Sequence, residues 1–465
     1  MKVRLSIVFY LAVICALSAI IFFVLDAGRH LELPAETAAG VGIYKQHLAW
    51  ESIKRIPGNP VTILLGQLII IVLSSVLSGA LFKSIGQPRV VGEIVAGIIL
   101  GPSLMGRLMP GISEHIFPAA SFTILQSLSQ LGLILFMFII GMEVDVQVVS
   151  KKISSAIVIS HASIAIPFGL GVILSYFLYR EFAPPGVPFY VFSLFVGIAM
   201  SITAFPVLAS IIRERGLSGT RLGNISIACA ATDDITAWCL LAVVFSIVTG
   251  GSAGASLYIL LLTIVYIGCM LLIVKPLLKR FFYNAGNDRQ LQGSALALVF
   301  TLLLVSACCS EMIGLHVLFG AFIAGISMPR REDLRNVLIA KIGDFPLLLL
   351  LPLFFVYTGL RTQIGLLNTP VLWLACALIC LVAIAGKFGG SAIAARFMGE
   401  SLQDSLSIGA LMNTRGLVEL VVLNIGYDMG ILTSRLFTMM VIMALITTFM
   451  TSPALNLIGR MKTKN

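Results

Sequence analysis

The sequence predicts an all-α polytopic membrane protein, and three observations carry that expectation. Hydrophobic residues fill 58% of the 465 positions and charged residues only 11%, whereas soluble domains spend about a quarter of their residues on charge. Apolar runs of roughly 17–25 residues recur along the chain, each long enough to cross the hydrocarbon as a helix that satisfies its own backbone. No period-two alternation runs through these segments, which excludes an outer-membrane barrel.

Taken in order, the spans are expected at 5–25, 61–82, 90–106, 122–143, 153–179, 189–212, 222–249, 256–274, 292–310, 313–329, 345–360, 370–396, 404–425 and 433–457. The first follows Lys2 and Arg4 and reads as a signal peptide or a retained anchor. The absence of a small-x-small cleavage site after its long apolar core favours the anchor. With both termini cytoplasmic, the inner segments hold 21 Lys/Arg and the outer segments 8, with Lys387 and Arg415 inside spans. That asymmetry orients the set in the cell (inner) membrane with a cytoplasmic C-terminus. The net charge of +10 therefore reflects this bias; basic residues do not cluster with aromatics, and no nucleic-acid partner is expected. All eight cysteines lie inside apolar segments, so they read as packing residues with no disulfide or metal role.

From residue 61, six spans reach 249, one linker span follows, and six more run from 292 to 457. An odd number of crossings between the sixes gives the halves opposite orientations, a common plan of secondary transporters. The expected organisation is an N-terminal helix and external loop (1–60), a first inverted repeat (61–249), a linker helix (250–291), a second repeat (292–457) and a short tail (458–465). Sequence echoes are faint: Phe136…Gly141-Met142 against Phe354…Gly359-Leu360, and Gly92, Gly97 and Gly101 against Gly314, Gly320 and Gly325.

In the fifth span of each half, polar residues interrupt the helix at matching places: Ser201-Ile-Thr203-Ala-Phe205-Pro206 and Asn413-Thr414-Arg415-Gly416. Two ordinary kinks would explain them; two broken helices crossing at mid-membrane would also leave carbonyls and half-helix dipoles free for a cation. Thr232-Asp233-Asp234 lies halfway along 222–249, and ionisable residues at that depth are functional by default. Neighbouring positions differ by about 100° around a helix, so one carboxylate can face a cavity while the other meets a partner. Lys387, central in 370–396, is the basic candidate; a structural ion pair would leave the second aspartate unexplained.

These segments resemble one family. Gly92-Glu93…Gly97…Leu100-Gly101-Pro102-Ser103-Leu104-Met105-Gly106, Gly141-Met142-Glu143-Val-Asp145, Thr203-Ala-Phe205-Pro206 and Thr232-Asp233-Asp234 occur in order. Gly314-Leu-His316…Gly320-Ala-Phe322…Gly325, Phe354-Phe355…Gly359-Leu360, Gly386-Lys387 and Asn413-Thr-Arg415-Gly416…Glu419 follow. Together, over about 61–457, they resemble monovalent cation:proton antiporters of the sodium/proton exchanger superfamily, in the branch of potassium-efflux antiporters and plant cation/proton exchangers. The resemblance implies a sodium/proton antiporter-like fold of thirteen helices, an inverted repeat of six plus six with crossed broken helices, plus the extra N-terminal helix. It also implies a transport core rocking against a dimerisation scaffold, hence a homodimer.

The resemblance further implies that Asp234 binds cation or proton, that Asp233 pairs with Lys387, and that exchange is electrogenic. The expected site is thus Asp234, Asp233 and Thr203 for Na+, K+ or Li+ and H+, with Lys387 and Arg415 compensating charge and Thr232, Asn413 and Glu419 in support. No cofactor and no enzymatic activity are expected. Residues 1–60 lie outside the resemblance, and nothing after Asn465 matches the nucleotide-binding domain of the potassium-efflux proteins, so gating by such a domain is not expected. Arg415 and Glu419, spaced i,i+4, fit a structural or a core-closing role. His316 reads as a packing histidine or a pH sensor. Glu93, Glu143 and Asp145 lie near span ends and are assigned no transport step, and Arg330-Arg331…Arg335 reads as a positive-inside anchor.

Three rival functions fit the sequence less well. Intramembrane proteolysis needs carboxylates from two helices, whereas these are adjacent on one. A channel needs a continuous filter, and none is visible. A sodium-coupled symporter of an organic anion shares the broken-helix architecture and stands as the alternative.

Overall fold

The computed structural model describes residues 60–143, 154–217, 219–250, 253–284, 293–329 and 331–462; the expected span 5–25, Asp145 and Arg330 lie outside them. Among the described residues, twelve helices are long and apolar enough to cross a membrane, and a shorter apolar helix, Val317–Ser327, joins them.

The first half contains α1 (Pro60–Ser84), α2 (Arg89–Leu100), α3 (Phe122–Glu143) and α4 (Ser154–Phe182). It continues as α5 (Phe189–Ser201), α6 (Phe205–Glu214) and α7 (Arg221–Gly250). The linker α8 (Ala253–Cys269) extends through a π-helical stretch, Met270–Val274, to Asn284. The second half holds α9 (Gly293–Ile313), α10 (Val317–Ser327) and α11 (Leu351–Arg361). After them come α12 (Pro370–Ile384), α13 (Gly390–Phe397), α14 (Leu402–Met412), α15 (Leu417–Asp428) and α16 (Ser434–Lys462).

Several expected spans are shorter or divided. The run 90–106 ends as a helix at Leu100, before Gly101-Pro102, and resumes for one turn at Met105–Leu108. The expected span 313–329 is an eleven-residue helix. Its chain first turns at Gly314, whose φ of +98° suits a residue without Cβ. His316 then caps α10, its Nδ1 accepting from Leu318 N at 3.4 Å, and its ring lies against Phe245. That is a packing and capping histidine. The spans 189–212 and 404–425 are both broken, between Ser201 and Phe205 and between Met412 and Leu417.

The inverted repeat appears as the same contacts made twice. Ser78 Oγ of α1 donates to Gly92 O of α2 at 2.7 Å, and Ser306 Oγ of α9 donates to Gly320 O of α10 at 2.8 Å. The α2–α11 crossing is equally tight from both sides. A Cβ on Gly97 would lie 2.1 Å from Val356 O, and one on Gly359 would lie 2.4 Å from Ile94 O. The α3–α10 crossing repeats it, with Gly141 against Phe322 O at 2.3 Å and Gly325 against Phe138 O at 2.2 Å. Without Cβ atoms the backbones approach closely, as membrane helices do at small-residue interfaces.

Two helix bundles result. One joins α1, α2, α3, α9, α10 and α11; the other joins α4 to α7 with α12 to α16. Each packs densely within itself, while few backbone contacts cross between them. The seam is largely apolar, with Trp238 of α7 stacked on Phe322 of α10 at 5.7 Å.

Candidate ion-binding site

The two breaks are bound to each other. Residues 202–204 and 413–416 link the half-helices, and Ala204 N donates to Thr414 O at 3.0 Å. α16 holds the second link: Thr448 Oγ1 donates to Arg415 O at 2.6 Å, accepts from Arg415 N at 3.1 Å, and Thr451 Oγ1 lies 3.3 Å from Thr414 Oγ1. These threonines had no place in the sequence reading; their only signal is the spacing Thr447-Thr448…Thr451 on one helix.

A helix ending in mid-membrane leaves carbonyls without partners and the negative end of its dipole unsolvated. α5 ends in this way, and two cations meet it. Arg415 donates through Nη1 to Ala199 O at 3.0 Å and through Nη2 to Met200 O at 2.6 Å, and Lys387 Nζ donates to Ser201 O at 2.5 Å. Arg415 also pairs with Glu419 Oε1 at 3.0 Å. Both side chains are fully buried, and Arg415 lies in the link before α15, so the pair closes the break and is not a pair on one helical face.

Lys387 is carried by a π-helical turn, Ala385–Gly389, between α12 and α13. Such turns inside α-helices often mark functional sites. Its ammonium donates to Asp233 Oδ2 at 2.9 Å and to Ser163 O at 2.9 Å, and lies 3.0 Å from Ser163 Oγ. Asp233 is saturated: Oδ1 accepts from Ser160 Oγ at 2.5 Å, and Oδ2 accepts from Ser163 Oγ at 2.7 Å and Thr203 Oγ1 at 2.6 Å as well as from the lysine. Thr203 Oγ1 is also 3.3 Å from Met412 O, so it stands where both breaks and α7 converge. Ser160 and Ser163 were missed; their i,i+3 spacing on α4 was the available signal.

Asp234 differs from its neighbour in every respect but burial. It is 1% exposed, and neither carboxylate oxygen has a hydrogen-bond partner among the described residues. Among the described residues, Asn413 is fully buried with both amide atoms unpartnered, and Glu419 Oε2 is unpartnered too. Thr232 does not join this set, since its hydroxyl donates to Ala228 O of its own helix at 2.8 Å. The structure therefore brings together Asp233, Thr203 and Lys387 in one network and Arg415 with Glu419 in a second, both capping α5. An unpaired charge buried among helices is not sustained, so the Asp234 carboxyl needs a proton or a metal ion.

Residues 70–457 match the family described as sodium/hydrogen exchanger, transmembrane. The chain belongs to the sodium/hydrogen exchanger family. Its relatives include the Na+/H+ antiporter NhaS4 of Synechocystis sp., 43% identical over 85% of this chain and 97% of that protein. Cation/H+ antiporter 17 of Arabidopsis thaliana is 37% identical over 84% of this chain and 48% of that protein. K+/H+ antiporter 1 of Saccharomyces cerevisiae is 33% identical over 86% and 47% respectively. The chain thus spans about half the length of these plant and yeast relatives. The solved sodium proton antiporter MjNhaP1 of Methanocaldococcus jannaschii shares the fold, with a TM-score of 0.66 at 14% identity over 86% of this chain and 99% of that one. In this exchanger family member the residue before the unpartnered acid, Asp233, is bound to Thr203 in the first break.

Proposed function

We propose that this chain exchanges a monovalent cation for protons by alternating access, with Asp234 as the shared site. The observation that carries the reading is the contrast within Asp233-Asp234. Asp233 has its charge matched by Lys387 and three hydroxyls, while Asp234 has no partner on either oxygen among the described residues. Such a carboxyl holds one proton or one cation, and each must leave before the other enters. Lys387 and Asp233 keep the neighbouring charge balanced, and Arg415 and Lys387 hold the end of α5 so that the site keeps its shape through the cycle. Asn413, whose amide is unpartnered, supports the cation from the second break.

The relatives named as Na+/H+, cation/H+ and K+/H+ antiporters point to Na+, K+ or Li+ as the cation, and lend nothing to the organic-anion symporter. We further assign residues 61–249 and 292–457 as the inverted repeats, 250–291 as their linker, and a homodimer in the cell (inner) membrane with α3 and α16 ending on the cytoplasmic side. Two acids with one lysine make the exchange electrogenic.

Proteoliposomes with an entrapped pH dye test the function. Chloride salts of Na+, K+ and Li+ should each be scored for cation-driven proton flux, with no organic solute present. Apparent cation affinity should weaken about tenfold for each pH unit of acidification per competing proton, because protons occupy the carboxyl that the cation needs. Asp234→Asn should abolish flux while the protein remains folded and membrane-inserted. Flux near the parent's rate in that variant would move the coupling site elsewhere.

A further inference from the structure

Hydrogen bonds that cross from one bundle to the other gather at the end of the seam where α11 and α15 finish. Arg361, the last residue of α11, is ion-paired with Asp428, the last residue of α15. Its Nη1 also donates to Asn424 Oδ1 at 3.0 Å. From α3, Gln126 Nε2 donates to the other Asp428 oxygen at 3.0 Å, and Asn424 Nδ2 reaches back to Thr358 Oγ1 of α11 at 2.9 Å. The guanidinium is held between two rings, 5.3 Å from the Tyr357 centroid in one bundle and 4.5 Å from the Tyr427 centroid in the other.

This differs from an exposed surface pair, which contributes little. The Arg361 side chain is 14% exposed and the Asp428 side chain 29%, and a charge-assisted bond with both groups further hydrogen-bonded is the stronger kind. Each of the pair's hydrogen-bond partners lies across the boundary between bodies that alternating access must move. Beneath it opens a cleft lined by Ser129, Gln130 and Leu133 of α3 and by Val421 and Ile425 of α15. Val421 is two residues beyond Glu419, so this cleft runs along α15 from the Arg361–Asp428 pair toward the break. In the orientation assigned above, this is the external end.

We infer that Arg361 and Asp428, with Gln126 and Asn424, form the external gate of the transporter. The inference rests on the alternating-access reading. Closed, as here, the pair bars Asp234 from the outer solution; it parts once in each cycle, and its strength sets the balance between outward-closed and outward-open states.

A reporter thiol tests this without relying on transport. Gln130→Cys is placed in the otherwise unaltered chain, and labelling by a membrane-impermeant maleimide is timed from the external face, against the labelling of the parent's own cysteines. Adding Asp428→Asn should speed labelling at least fivefold, and adding Gln126→Leu should give a smaller increase. A second variant, Arg361→Cys with Asp428→Cys, is bridged by a short bifunctional thiosulfonate. Cation-driven proton flux should then fall at least tenfold and return on reduction. Labelling unchanged by Asp428→Asn and Gln126→Leu, or a bridged protein exchanging at the unbridged rate, would overturn the gate. Failure of the antiport reading looks different: the parent gives no flux with any cation while the labelling response persists.

Discussion

Lys387 is tolerated at mid-membrane because all three of its ammonium protons have acceptors: Asp233 Oδ2, Ser163 O and Ser201 O. Lys387→Ala removes the partner of a buried carboxylate and uncovers the end of α5 at once. Breaking a buried pair costs about 3–5 kcal/mol, so the melting temperature in detergent should fall clearly. A variant that melts like the parent would show that the pair does not hold the core. Asp233, Asp234 and Lys387 were legible in the sequence because charge is rare in apolar spans and costly there. Ser160 and Ser163 were not, since a serine in a membrane helix commonly bonds its own preceding turn, as Ser129 and Ser175 do here. Only the fold tells a serine that back-bonds from one that faces a carboxylate. Thr232, beside the aspartates, gives its hydroxyl proton to Ala228 O of its own helix, which leaves its oxygen lone pairs as the only part of it that a cation could use.

At the scale of the helix, proline, glycine and polar residues marked where α5 and α14 end, but not how the breaks are held. That depends on α16, far along the chain, and on one backbone hydrogen bond between the links. Span lengths were legible where apolar runs were uninterrupted, as in α3, which occupies 122–143 as expected. They were overread at α10, where Gly314, Leu315 and His316 are as compatible with a membrane helix by hydropathy as with the turn they form. The tight glycines supply a test at this scale. Gly97→Ala places a Cβ 2.1 Å from a backbone carbonyl of α11, which a side-chain rearrangement cannot relieve. Overpacking of this kind costs about 1–3 kcal/mol or more, and the variant should lose monodispersity and melt earlier. Gly66→Ala in α1 meets nothing within 4 Å among the described residues and should be neutral or gain up to about 1 kcal/mol from helix propensity. Equal melting of the two variants would show that the α2–α11 crossing is looser than described.

For the whole molecule, counting crossings revealed the inverted plan, while the sequence echoes alone were too faint to carry it. Glycine patterns recur in membrane helices of many kinds, and the decisive Ser78–Gly92 and Ser306–Gly320 bonds link residues of neighbouring helices in each half. The division into two bundles was available only through the resemblance, because a seam between bodies leaves no mark on hydropathy. A cycle that moves one bundle past the other with a net charge must respond to voltage. With Na+ as the driven cation, a membrane potential set by K+ and valinomycin should change the rate of proton flux. Rates indifferent to the potential would mean that charge entering the site is balanced one for one.

The paired serine and glycine contacts have a consequence for ancestry. The surfaces that join α2 to α11 and α3 to α10 are the same surface used twice. A half-length chain that inserted in both orientations could therefore have closed this bundle by pairing with an upside-down copy of itself. On that account α8 is the one added element needed to write the pair as a single gene product: it supplies the odd crossing that fixes one half upright and the other inverted.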